Sequence, residues 1–294
     1  VAAPPLLEPL FQGVPNIQFL ATPKRQPIYA LYQQLAQTRP TVVADMHWVN
    51  RVIGVDLLFL AHGTPVYHIH KERLKQKRLV RRWHKTYTTV TPSWQRYEKV
   101  FDRCAPAQYP THYIQVKTHS ATDIKRRIGI APFAQHAGKI MPHGQTKQLI
   151  SILSQKSEYE ILLFGGKDEA ALLETWASEH ANVQSTAGRQ PFAEELQLIA
   201  SLDVMISMDS ANMHFASCME VPVVSIWGAT DAVCGFYGWR QDPQHAIATN
   251  HKCRPCSIYG NKPCQYGDYR CMTYLDVADI ARHVFTMLEV KPME

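Results

Sequence analysis

No run of about 18 consecutive apolar residues occurs in the chain, which argues against a conventional membrane-spanning helix. The opening residues, Val1-Ala2-Ala3-Pro4-Pro5-Leu6-Leu7, lack the charged segment and apolar core of a secretory signal. There is no repeat at solenoid periods and no low-complexity tract, so repeat arrays and disordered linkers are excluded. A Gly-x4-Gly-Lys-Ser/Thr element is missing, which removes the phosphate loop of nucleoside triphosphatases. Net charge is small. Lys plus Arg number 31 against 25 Asp plus Glu, leaving +6. That excess is too slight to mark a nucleic-acid protein by itself, but it suits an acidic ligand or an anionic surface. The seven cysteines cannot all pair within the chain, because the number is odd.

What is present reads as an ordinary globular protein. Hydrophobic residues make up 46% and charged residues 19%, so a packed core is affordable. The 294 residues suit two domains of average size. Short β-rich runs alternate with helical patterns, the signature of parallel sheets flanked by helices. Strands are expected at Asn16–Leu20, Thr41–Asp45 and Pro65–His68, with a helix at Pro27–Ala36. Further strands are expected at Arg127–Ala131, Tyr159–Phe164, Val183–Ser185, Val204–Ser207 and Val221–Trp227, and a last helix at Leu275–Leu288. The polar stretch His119–Arg126 is the expected boundary, dividing the chain into residues 1–122 and 123–294. The opening segment resembles the tail of a strand, which leads us to expect that further chain precedes it.

Three loops in the second half follow expected strands. In an open parallel sheet such loops share one edge, where ligands bind. The first contains Gly138 and Lys139. Glycine permits close approach and lysine supplies a point charge for a phosphate, although a surface turn with a solvated lysine fits equally. The second is Phe164-Gly165-Gly166-Lys167-Asp168-Glu169. Glu169 there can cap the next helix or bond a ribose hydroxyl. The third is Met208-Asp209-Ser210-Ala211-Asn212-Met213-His214. Asp209 and Ser210 fall at a helix N-terminus, which favours anions, and His214 lies one turn on, facing the same way. An Asp cap with a packed histidine is the plainer alternative.

Two further segments stand out. Cys253, Cys256, Cys264 and Cys271 fall in one short stretch. The spacing is compatible with a structural metal cluster, paired cysteines or independent buried thiols. The segment 71–85 carries much of the basic excess, with Arg78, Arg81 and Arg82 at its centre. It reads as an anion-binding surface or as a solvated helix face.

Together these residues resemble glycosyltransferase family 9, the ADP-heptose–lipopolysaccharide heptosyltransferases. The resemblance rests on residues 201–214, on Val221-Pro222-Val223-Val224-Ser225-Ile226-Trp227-Gly228-Ala229-Thr230, on residues 235–239 and on Cys253-Arg254-Pro255-Cys256. Asp45-Met46-His47-Trp48-Val49-Asn50-Arg51 after an early strand is similar too. The resemblance implies a GT-B fold of two Rossmann-like domains facing a cleft. The acceptor domain would be residues 1–122, N-terminally incomplete, and the donor domain residues 123–294. It implies an inverting transfer of heptose, or a similar sugar, from an ADP-sugar to a lipopolysaccharide inner-core acceptor, without a cofactor or a bound metal. Lys139 and Asp209 are the expected catalytic residues. Gly138, Lys139, Glu169, Asp209, Ser210, Ala211 and His214 are the expected donor contacts. Asp45, Arg51, Arg78, Arg81 and Arg82 are the expected acceptor contacts. The implied location is the cytoplasm, with peripheral contact at the inner face of the inner membrane, and nucleic acid is not an expected partner. One departure is the family's Gly-rich loop with an Asp base, which is not found in this sequence. A non-catalytic nucleotide-sugar-binding relative is therefore the competing expectation.

Overall fold

The computed structural model describes residues 1–23, 25–109, 112–116 and 125–289. In chain order the first elements are strands β1 (Ala2–Ala3) and β2 (Leu20–Ala21), helix α1 (Ile28–Ala36), β3 (Val43–Asp45), α2 (Asn50–Ala61) and β4 (Val66–His68). Helices α3 (Arg73–Leu79) and α4 (Ser93–Cys104) follow. The next elements are β5 (Arg126–Ala131), α5 (His143–Ser154), β6 (Tyr159–Leu163), α6 (Ala170–Ala177), β7 (Val183–Ser185) and α7 (Phe192–Ala200). The last are β8 (Val204–Met208), α8 (Ala211–Cys218), β9 (Val223–Trp227), β10 (Ala246–Ala248), α9 (Arg270–Thr273) and α10 (Val277–Glu289).

The chain forms two compact units. The first comprises residues 1–72 and 91–110, and the second residues 73–90 and 111–294. The boundary expected at 122 lies outside the described residues. The contact-based division differs from it in one instructive way: the basic segment 73–90 belongs with the second unit. The cause is apolar burial, since Leu79 and Val90 are fully buried together with Cys234. The Val90 amide also donates to the Val233 carbonyl at 2.9 Å.

In the first unit, β1 pairs with β2 and β3 with β4, both in parallel. Leu31 of α1 and Val55 and Phe59 of α2 form its small core. Asp45 ends β3, and its Oδ1 accepts the amides of His47 at 2.7 Å and Trp48 at 2.9 Å. Those bonds close the turn that lays the Trp48 ring flat on His68, with centroids 4.5 Å apart. Asp56 of α2 is buried beside Asp45, and its Oδ1 has no hydrogen-bond partner. Burial first, and the neighbouring Asp45 second, push the Asp56 carboxyl up to about 7. The folded chain therefore holds a proton that the unfolded chain releases near pH 4. Stability from this group is full at low pH and is lost as pH rises from about 4 to about 7. Asp56→Asn keeps the shape without the charge, so it should stabilise the chain by at most about 4 kcal/mol at pH 8 and by almost nothing at pH 4. Urea melts of both chains at the two pH values check this, and an equal effect at both would contradict it.

The second unit is built on one six-stranded parallel sheet in the order β10-β9-β8-β5-β6-β7. Side chains along a strand alternate between its two faces. Accordingly Ile128, Ile130, Ile161, Leu163, Val204, Ile206, Val224 and Ile226 join one buried cluster with α5, α6 and α10. Ala131, Leu162, Phe164, Met205, Val223 and Trp227 join the opposite cluster with α7 and α8. Each fully buried aliphatic or aromatic side chain contributes about 1.5–3 kcal/mol by leaving water, which makes this sheet the rigid base of the unit. Among the described residues no helix is long and apolar enough to cross a membrane.

Candidate active site

Chain connections leave β5 in opposite directions: β6 and β7 lie on one side, β8, β9 and β10 on the other. That reversal opens a crevice at the carboxyl ends of the strands. A cavity of about 510 Å³ sits there, within the second unit. It is lined by the loops after β5, β6 and β8, including Lys139, Gly166, Glu169, Asp209, Ser210 and Ala211.

The charged centre is a shielded pair. Lys139 Nζ lies 3.0 Å from Asp209 Oδ2, with side chains 15% and 6% exposed. The Thr230 hydroxyl donates to the same oxygen at 2.7 Å. Asp209 therefore spends its carboxylate on Lys139 and Thr230 and does not cap α8. Ser210 precedes α8 in extended conformation, and its side chain makes no capping bond either. The first N–H groups of α8 are consequently left for an anion in the cavity. His214 is one turn further on, with its ring exposed at the cavity edge. Crowding by protein atoms lowers its pKa, Asp209 opposes that shift, and Lys139 adds to it. The neutral imidazole is favoured, which suits a hydrogen-bonding wall more than a second cation.

Glycine is required where the loops converge. Gly260 has φ +77°, and a β-carbon there would lie 2.5 Å from Lys139 Cγ. The lysine stem crosses that bare backbone on its way to Asp209. Gly228 faces Met272 and the Gly138 carbonyl too closely for any side chain. The Ala229 amide donates to the Gly138 carbonyl at 2.7 Å, tying the loop after β9 to the loop that carries Lys139.

Arg254 locks this arrangement from behind. Its guanidinium donates to the carbonyls of Gly228 at 2.7 Å, Thr249 at 2.7 Å and Thr230 at 3.1 Å, and it pairs with Asp231 at 3.0 Å. The amides of Cys256 and Ser257 donate to the Ala229 carbonyl at 2.9 and 3.1 Å. Lys85 then caps the far side of the same strap, donating to the carbonyls of Cys253, Arg254 and Pro255 at 2.7, 3.0 and 2.8 Å. Burial lowers the Lys85 pKa, with the nearby cysteines opposing.

The structure thus gathers Lys139, Glu169, Asp209, Ser210, Ala211 and His214 around one crevice, whereas Gly138 is buried behind Lys139 and does not line it. Glu169 makes no capping bond at α6. Its carboxylate instead folds over Gly166, where a β-carbon would stand 2.8 Å from Oε2. The acceptor candidates fall in different units. Asp45 and Arg51 belong to the first unit and do local work there: Asp45 closes its turn, and Arg51 donates to the Pro23 carbonyl at 3.2 Å. Arg78, Arg81 and Arg82 belong to the second unit. All four cysteines of the cluster are free thiols, as are the other three. Among the described residues no group of three His, Cys, Asp or Glu side chains is placed to hold a metal. Burial pushes the Cys271 thiol up to about 11 and raises that of Cys256, so both favour the protonated form. Arg254 and Lys85 hold this loop in shape.

Several lining residues had no signal in the sequence. Phe133, Phe236, Ile258 and Tyr259 form the apolar wall. The Gly235–Trp239 stretch hinted at Phe236, but nothing local marks Tyr259 as facing a cavity. Thr230 was visible only through the family resemblance.

Fold and crevice define a class before they define a family: this is the GT-B architecture of glycosyltransferases. The fold matches that of Escherichia coli ADP-heptose lipopolysaccharide heptosyltransferase II, with TM-score 0.65 and 16% identity over 98% of this chain and 88% of that one. It also matches a family 9 glycosyltransferase from Veillonella parvula, with TM-score 0.70 and 15% identity over 98% and 87%. Residues 66–266 match glycosyltransferase family 9 (heptosyltransferase), and the chain belongs to that family. Among curated proteins, lipopolysaccharide heptosyltransferase 3 of Escherichia coli K12 is 32% identical over 110 residues, 36% of this chain and 32% of that protein. Lipooligosaccharide heptosyltransferase 2 of Haemophilus ducreyi is 30% identical over 119 residues, 38% and 34% of the two. The matched stretch therefore spans about a third of each curated relative.

Proposed function

We propose that this glycosyltransferase moves heptose from ADP-heptose to an inner-core lipopolysaccharide acceptor, inverting the anomeric centre. The observation that carries the reading is the shielded Lys139–Asp209 pair standing beside the uncapped N-terminus of α8. A diphosphate placed there meets an ammonium and backbone donors already oriented. In the reaction the bond between the anomeric carbon and the terminal phosphate oxygen breaks, and ADP leaves. An acceptor hydroxyl attacks from the opposite face, forms the new bond to the anomeric carbon and releases its proton to solvent. Negative charge grows on the leaving diphosphate, where Lys139 and the α8 amides can stabilise it more in the transition state than before. Asp209 and Thr230 hold the lysine in place, as positioning residues. Glu169 is suited to a ribose hydroxyl, and the apolar wall of Phe133, Phe236 and Tyr259 to the purine. An Escherichia coli heptosyltransferase with the same fold was solved with ADP, which supports the donor assignment.

The acceptor is phosphorylated and acidic, which suits Arg78, Arg81 and Arg82. A lipid-borne acceptor places the work in the cytoplasm, with peripheral contact at the inner face of the inner membrane. The test is direct. Incubation with ADP-heptose and heptose-free inner core should add one heptose to the acceptor by mass, release ADP, and give the opposite anomeric configuration by NMR. ADP binding without any gain in acceptor mass would favour a nucleotide-sugar-binding relative, and a retained configuration would contradict the mechanism.

A further inference from the structure

We infer that a second cavity in the same unit, walled by Lys77, Arg81, Arg82, Lys85, Lys252 and Lys262, is an anion site for a ligand with two or more clustered phosphate groups. The cavity has a volume of about 430 Å³. It shares no lining residue with the donor crevice. No carboxylate lines it, and among the described residues none is paired with Lys77, Arg81, Arg82, Lys252 or Lys262. Its cations come from two segments far apart in sequence, residues 77–85 and 252–262.

The convergence is enforced by the fold. Leu79 and Val90 bury on one side of the segment, and Lys85 grips the carbonyls of Cys253, Arg254 and Pro255 in between. The strap that Lys85 caps is the one Arg254 fixes to the sheet. Like charges brought together this way repel, so the cavity focuses positive potential on an anion that enters. Chemistry narrows the ligand. The guanidinium forks of Arg81 and Arg82 match phosphate or carboxylate oxygens two at a time, and the lysines add point charges around them. Gln265 supplies a neutral polar group at the rim. One phosphate leaves most of these cations unanswered, whereas a diphosphate or a pair of phosphates does not. A phosphorylated saccharide in solution and a phosphorylated lipid headgroup share this chemistry. The site shares Arg81 and Arg82 with the acceptor reading above and rests on that reading to that extent, adding Lys77, Lys85, Lys252 and Lys262 as its other cations.

The test titrates inorganic pyrophosphate into the full chain carrying Lys139→Ala, whose donor crevice has lost its lysine. The comparison adds Lys252→Glu and Lys262→Glu, both at exposed positions that tolerate the change. The pair should weaken pyrophosphate about tenfold or more and flatten its salt dependence, because fewer cations release counterions. Reversing Arg25 and Lys156, which lie elsewhere, should shift affinity less than about twofold by bulk charge alone. Sedimentation with phosphatidylglycerol vesicles separates the sources. Vesicle binding lost with the Lys252/Lys262 pair assigns a lipid headgroup, and pyrophosphate binding without vesicle binding assigns a soluble ligand. Either supports the site. Pyrophosphate affinity unchanged by the pair, an equal loss in the Arg25/Lys156 control, or no binding by the parent at low salt overturns it. ADP titrated into the otherwise unaltered chain reports on the donor crevice separately, so failure there leaves this result standing.

Discussion

Arg254→Leu should lower the stability of the second unit by about 3–5 kcal/mol, the cost of removing one partner from a buried charged network. The guanidinium is 7% exposed and serves three carbonyls and one carboxylate. Leucine fills part of the volume but leaves the carbonyls of Gly228, Thr230 and Thr249 without their donor. Each unsatisfied buried group costs about 1–3 kcal/mol, and Asp231 loses its counter-charge as well. The loss reaches the crevice, because the Gly228 and Thr230 carbonyls flank Ala229, whose amide braces the Lys139 loop. Arg254→Lys should recover part of the stability, since an ammonium reaches fewer acceptors than the fork does. Thermal melts followed by tryptophan fluorescence check both variants. A melting temperature for Arg254→Leu within a degree or two of the parent would show that the network is not what holds these loops.

Lys139→Ala should reduce kcat/KM for sugar transfer by about 100- to 1000-fold, the usual consequence of removing one preorganised donor to a developing oxyanion. The expected loss is mostly in kcat, because charge on the diphosphate is greater at the transition state than in the bound donor. Lys139→Arg should fall between the two. Its charge is retained, but the planar head does not fit the narrow path over Gly260. Steady-state rates across donor concentrations separate kcat from KM. A variant that changes KM alone would assign the lysine to donor binding and not to departure of the leaving group.

Legibility in the sequence followed the number of residues that carry each signal. β8 and β9 were readable because each is a mostly apolar run bounded by turn residues: Val204–Met208 ends at Asp209, and Val223–Trp227 ends at Gly228. β10 has three residues, too few for any alternation to show. Helix α4 was not legible, because only Arg96 and Val100 are buried and the rest of its surface is polar or aromatic. Helix α2 hides its period behind near-continuous apolar residues, so nothing in the sequence marks Asp56 as a buried neighbour of Asp45. In the crevice, Lys139 and Asp209 were legible because each follows a strand at an expected sheet edge. Arg254 and Lys85 were not. Their partners are backbone carbonyls, which leave no mark in a sequence, and Lys85 reaches across some 168–170 positions to find them. The cysteines show the converse. Their spacing resembles a metal site, and the loop that carries them is held by the buried Arg254 and the half-buried Lys85.

The central claim is that the crevice above β5 and β8 binds a nucleoside diphosphate through Lys139. Calorimetric titration of adenosine, AMP and ADP into the unaltered chain and into Lys139→Ala tests it most directly. ADP should bind the unaltered chain tightest, and the substitution should weaken ADP about tenfold or more while leaving adenosine within about twofold, as expected for loss of one charge-assisted contact. Equal weakening of all three ligands, or ADP affinity that survives the substitution, would contradict it.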